Sequence, residues 1–247
     1  MEIPRFRART VPELLDASFQ VVRARFWELA LVTLIITGPA LALELVASEE
    51  LLPLAQWLEN FLGNYATAAS VVIVSDAYLG READIRGALS RTGRRAGSIF
   101  GAAWMRGLML VIGLLLCVVP GIIAMIVTFA MPMAVMLEGA TAGTAFDRSR
   151  ALARDQWGRI TLVYVLAFVL AFIAGIGLGV VVELAGAPEV IGRLVEMLSG
   201  VLFSPLVAVV GTLLYYDLRI RKEGFDIEML AAELGALGPV QPPPSAV

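Results

Sequence analysis

Where the basic residues fall between long apolar runs constrains this chain more than any other feature. Seventeen of its nineteen Lys and Arg lie in four stretches. Arg5, Arg7, Arg9, Arg23 and Arg25 precede the first run, and Arg81, Arg86, Arg91, Arg94 and Arg95 follow the second. Arg148, Arg150, Arg154 and Arg159 follow the fourth, and Arg219, Arg221 and Lys222 follow the sixth. The alternate connections, near 44–60, 117–121 and 184–196, hold only Arg193, while Arg106 lies inside a run. Short loops that stay in the cytoplasm accumulate Lys and Arg. The pattern predicts an all-α polytopic membrane protein with six transmembrane helices and both termini cytoplasmic.

Composition agrees: 59% of the 247 residues are apolar and 17% are charged, a membrane profile rather than that of a soluble domain. A net charge of −3 leaves no footprint for nucleic acid. The single cysteine, Cys117, excludes an intrachain disulfide. It has no basic neighbour to activate it and reads as a packed thiol. Histidine, the commonest general base and metal ligand, is absent. The first apolar run begins only near Phe26, after a long charged segment, so it reads as an uncleaved span rather than a signal peptide.

Run lengths place the spans at about 26–46, 57–79, 98–118, 121–138, 160–184 and 197–216, in one membrane domain over 1–235 with a disordered tail over 236–247. Residues 51–62 suit either an outer interfacial helix or the first turns of span two. Pro120-Gly121 divides spans three and four, Gly38-Pro39 and Pro132 are expected bends, and Pro205 lies inside span six. The GIGLG run (Gly175, Gly177, Gly179) suggests close backbone approach. The segment 225–237 is weakly amphipathic.

Shifts of 74 and 131 residues align the segment before span one with two later ones. Thr10, Asp84 and Thr141 coincide as candidate N-caps, followed by Leu15, Leu89 and Phe146, then Ser18, Thr92 and Ser149, then Val22, Ala96 and Ala153. Phe26, Phe100 and Trp157 close the series. Steps of three and four put these side chains on one helix face. The expectation is three repeats, each an interfacial helix lying apolar side down that turns at an aromatic residue into a helical hairpin. Such helices would meet the bilayer and its anionic lipids through Arg91, Arg94 and Arg95.

Ionisable groups at membrane depth are candidate sites. Asp76 and Arg106 are placed to pair across a hairpin, and Glu138 and Asp217 end spans four and six where headgroups and water solvate them. Gln56, Asn60 and Asn64 are expected to bond between helices. No catalytic motif, cofactor site or metal constellation is recognised, and Ser199 and Ser204 lack a neighbouring base. The expected role is non-enzymatic: a scaffold or accessory subunit beside a membrane-protein partner, or a lipid-associated protein. The alternatives are a small transporter or channel, and a lipid-modifying enzyme.

Five stretches together resemble the membrane domain of some bacterial glycerophosphodiester phosphodiesterases and of stand-alone multi-pass membrane proteins. They are VPELLDASFQVVRARFWEL (11–29), VSDAYLGREADIRGALSRTGRR (74–95), VVPGII (118–123), MPMAVMLEGATAGTAFDRSRALARDQWGRI (131–160) and LLYYDLRIRKEGFDIEML (213–230). The resemblance spans about 10–235 and implies a six-span bacterial inner-membrane protein. It implies no chemistry, because the catalytic barrel of the fused enzymes is a separate domain of about 250 residues.

Overall fold

Helices follow one another along the chain. α1 (Val11–Ala24) leads into α2 (Phe26–Val46), and α3 (Leu52–Tyr78) packs back against it. α4 (Ile85–Arg94), α5 (Ala96–Leu116) and α6 (Val118–Val127) come next. A short α7 (Met131–Met133) runs into a π-helical turn, Ala134–Glu138, before α8 (Ala142–Ala153), α9 (Trp157–Leu184) and α10 (Glu189–Glu223). The computed structural model describes residues 7–186 and 188–227, among which no strand occurs. The amphipathic segment beyond Ile227 and the tail at 236–247 lie outside the described residues.

Local chemistry explains where the short helices start. Thr10 caps α1 in a box with Glu13, whose carboxylate takes the Thr10 N–H at 2.8 Å. Asp84 caps α4 by accepting from the Arg86 and Gly87 N–H groups at 3.0 and 2.8 Å. Thr141 caps α8, with the Thr144 hydroxyl accepting its N–H at 2.9 Å. The three caps are those expected from the sequence.

The long helices associate most extensively as the consecutive pairs α2–α3, α5–α6 and α9–α10, and α10 also packs on α3 and α1. Among the described residues, four segments are long and apolar enough to cross a membrane: Phe26–Val46, Ala96–Leu116, Val118–Glu138 and Ser199–Glu223. α8 and α9 join at a bend of 101°. α3 spans about 40 Å at 1.5 Å per residue, and its Ser, Thr and Ala positions serve burial: Ala68 to Asp76 are all inside. Outward-facing Trp27, Leu115, Leu116, Phe168 and Ile173 present a broad apolar surface that hydrocarbon, not water, would favour.

Several expectations need correction. For residues 51–62 the second of the two alternatives holds, since 52–62 are the first turns of α3 itself. The division between spans three and four falls at the extended Cys117, not at Pro120-Gly121. Pro120 sits in the first turn of α6, where its missing N–H costs nothing. Cys117 is exposed at that turn rather than packed. The helix is interrupted at Thr128–Ala130, just before Pro132. α10 begins eight residues earlier and ends seven later than span six was drawn. A Cβ at Gly177 would meet nothing within 4 Å, so no backbone approaches closely there, and the surroundings of Gly175 and Gly179 lie outside the described residues.

The short helices differ from expectation in one respect that matters for function. Leu14, Ala88 and Ala145, and Ser18, Thr92 and Ser149, are buried at corresponding positions. Their faces pack into the protein's own core with Tyr78, Tyr215, Leu218 and Phe225, rather than lying down on a bilayer. Leu15, Leu89 and Phe146 are only partly buried against that core. Phe26 and Trp157 do open long helices, but α5 begins at Ala96, four residues ahead of Phe100.

Candidate functional site

Where the long helices end beside α1, α4 and α8, three carboxylates each gather several ion pairs and hydrogen bonds. Asp76, in the last turn of α3, is buried. Arg91 of α4 reaches it with Nη1 at 3.2 Å from Oδ2, and Arg81 Nη1 lies 3.9 Å from Oδ1. Arg106, the partner expected from the sequence, is not among its contacts. Glu138 ends the π-helical turn and receives Arg148 Nε at 2.9 and 2.8 Å on its two oxygens. The Tyr215 hydroxyl donates to the same carboxylate. Arg148 extends onward to Glu223, with Nη2 2.7 Å from Oε2, and Arg219 Nε donates to that oxygen at 3.0 Å. These hydrogen bonds, those to Glu223 first, hold the Arg148 guanidinium well above its ordinary pKa.

Asp217 is the most enclosed of the three, at 3% exposure. Its Oδ1 accepts the Arg9 N–H at 2.7 Å. Its Oδ2 accepts Arg159 Nε at 3.0 Å and Arg221 Nε at 2.9 Å. Arg221 Nη2 also donates to the Arg9 carbonyl at 2.7 Å, and Arg159 Nη2 donates to the same oxygen. One carboxylate thereby joins the start of α1, the start of α9 and the end of α10. Neither Glu138 nor Asp217 relies on headgroups or water for its partners. Around these groups, Ser75 Oγ and Tyr216 OH lie 2.7 Å apart, Tyr78 stacks on Tyr216 at 4.7 Å, and Arg219 covers Phe225 at 4.2 Å.

Sequence reasoning named the carboxylates but missed most of their partners. A signal existed for two: Arg91 and Arg148 are 57 residues apart, which is the difference between the two shifts that align the short helices. Arg9, Arg159 and Arg221 carried no such signal. The candidate headgroup arginines divide as well. Arg91 is engaged by Asp76, and the Arg95 guanidinium lies against Gly139, whose φ of +77° leaves no room for a side chain. Arg94 remains exposed, with Nη1 donating to Ser90 at 2.9 Å. Between α2 and the α3–α4 turn, Arg25 and Arg81 with Glu82 line an open polar basin of about 630 Å³.

Farther from this end the polar groups serve their own helices. Asn60 donates to the Gln56 carbonyl at 2.8 Å and Asn64 to the Asn60 carbonyl at 2.9 Å, so neither bonds between helices. Ser199 donates to the Val195 carbonyl at 2.7 Å, and the Ser204 side chain lies outside the described residues. Arg106 stands midway along α5. A general base needs an accessible lone pair aimed at a substrate. Asp76, Glu138 and Asp217 instead direct theirs at guanidinium, phenol and backbone N–H donors, the geometry of structural clamps.

No curated protein and no solved structure matches the chain. Residues 87–218 match a family described as a domain of unknown function (DUF7847). The match runs from the first turn of α4 to just past Asp217 in α10 and covers more than half of the chain, which therefore belongs to that family.

Proposed function

We propose that the chain is a non-enzymatic, six-span protein of a bacterial inner membrane, with both termini cytoplasmic and a role as scaffold or accessory subunit at the inner face. The saturation of Asp76, Glu138 and Asp217 by arginine and tyrosine donors carries this reading. Groups placed to do chemistry are spent on joining α1, α4 and α8 to the long helices. Their joining builds a cytoplasmic collar on three helical hairpins, and the recurring cap and buried-face positions support a parallel threefold repeat. Arg86 and Arg94 on the exposed side of α4, with the Arg25–Arg81 basin, suit anionic headgroups at about 1 kcal/mol per net charge.

Labelling with a membrane-impermeant maleimide tests the topology. Exposed Cys117 is expected to react from outside intact cells. Ser90→Cys, in a Cys117→Ser background, is expected to react only after permeabilisation; reaction of Ser90→Cys in intact cells would overturn the reading. A partner captured by crosslinking in native membranes supports the accessory role, whereas protein that co-isolates with nothing and retains no lipid selectively removes it.

A small transporter or channel is the second reading, favoured by the helix break at Thr128–Ala130 and by Arg106 in mid-helix. Solute flux in proteoliposomes that disappears in Arg106→Leu would put it ahead of the scaffold. For a lipid-modifying enzyme, an unengaged inner-face carboxylate would be needed, and no observation favours that reading.

A further inference from the structure

Arg106 makes no hydrogen bond or ion pair among the described residues. It is half-buried, ten residues from either end of α5, where a charge in a membrane helix is costly and seeks a counter-ion. With Asn64, Thr67 and Met131 it lines a cavity of about 20 Å³. That space admits one small polar group, on the scale of a water molecule. Asn64 and Ala103 also wall a second space, a groove between α3 and α5 of about 360 Å³. Trp57, Phe61, Phe100, Trp104, Leu108 and Val111 line this groove, and its two tryptophans are more than half exposed. Its volume falls in the range of about 300–1,000 Å³ typical of small-molecule sites.

We infer that the α3–α5 groove and the Arg106 cavity together bind a long-chain carboxylate, a fatty acid, with its tail among the aromatic side chains and its anionic end toward Arg106. Charge, size and polarity each narrow the occupant. An uncompensated guanidinium selects an anion. The small cavity accommodates one oxygen of a carboxylate beside Arg106 and excludes a bulky phosphodiester headgroup. The groove offers almost wholly apolar and aromatic walls, which suit a hydrocarbon chain. Pairing also removes two costs at once, since neither Arg106 nor the carboxylate is then left as a lone charge in hydrocarbon. The inference rests on the chain's being embedded in a bilayer, because only there are tail and groove in contact.

A photoactivatable palmitate carrying a diazirine in its chain tests this on the full chain in its native membranes. The wild type is expected to label on α3 and α5 near Trp57 and Trp104, and the methyl ester of the same probe is expected to label at least about tenfold less. Arg106→Gln is expected to lose labelling to the same degree and Arg106→Lys to keep most of it. Gly107→Leu supplies a variant that does not touch the charge. A Cβ there meets nothing within 4 Å, so the fold accepts it while the added side chain fills the groove. Equal labelling by acid and ester, or labelling undiminished in both Arg106→Gln and Gly107→Leu, overturns the proposal and shows a groove that gathers bulk hydrocarbon. Native mass spectrometry showing a phospholipid in place of the acid overturns it as well. Carbonate extraction of the same membranes separates the two readings. A chain that resists extraction but fails to label defeats this inference alone, whereas one that washes off defeats the membrane reading beneath it.

Discussion

Glu13 shows how a single side chain sets a boundary. Its carboxylate accepts the Thr10 N–H and lies within reach of the Thr10 hydroxyl and Arg7, and these contacts, the backbone one first, hold its pKa down at about 2. A depressed carboxylate pKa stabilises the folded form fully above the ordinary value of 4.5, and that contribution fades as pH falls toward about 2. Carboxyl NMR of Glu13 is expected to titrate near 2, and amide exchange in the first turn of α1 is expected to quicken on acidification through this window. A midpoint near 4.5 would show the box to be open. The cap was legible in the sequence because its parts lie three residues apart. By contrast, Asp217 and the Arg9 N–H are 208 residues apart, and no local spacing announces such a partner.

Among the elements, the α5–α6 hairpin closes through a direct backbone contact. A Cβ on Gly113 would lie 2.9 Å from the Gly121 backbone and the Pro120 carbonyl oxygen, so the two helices touch through glycine. Gly113→Ala is expected to destabilise the protein by about 1–3 kcal/mol through overpacking. Gly97→Ala, at a position with open space around it, is expected to be neutral or slightly stabilising. Thermal unfolding in detergent checks the pair, and equal melting of both variants would contradict the close approach. Glycines drew notice in the sequence at GIGLG, where Gly177 has open space and the surroundings of Gly175 and Gly179 lie outside the described residues; a close backbone contact falls instead at Gly113 and Gly121. Glycine spacing on one helix does not disclose which face a neighbour will cover. Span limits were legible to within a few residues for α2 and α5, because an apolar run ends where charge or a turn residue begins. The extent of α10 was not, since its last turns are amphipathic and owe their order to α1 and to Glu223.

For the whole molecule, the three clamps give stability a long-range component. Asp217→Ala leaves Arg159 and Arg221 without their shared acceptor in a mostly buried setting. It is expected to cost about 3 kcal/mol and to release α1. Hydrogen–deuterium exchange should then rise across Val11–Ala24, whereas Asp16→Ala, on the exposed side of the same helix, should leave exchange nearly unchanged. Protection retained in Asp217→Ala would mean that α1 is held by its apolar face alone. The all-helical character and the long apolar helices were readable from the lengths of the apolar runs. The inward packing of α1, α4 and α8 was not, because amphipathic spacing looks alike whether the covering surface is lipid or protein.

Because the acceptor for Arg9 is supplied by Asp217, the first helix is fastened by a stretch synthesised 208 residues after it. Until that stretch arrives, the Arg9 N–H and carbonyl lack the Asp217 and Arg221 partners that fix the entry to α1. A product stalled before that point would consequently carry a first helix without this fastening and without the α10 surface on which it packs.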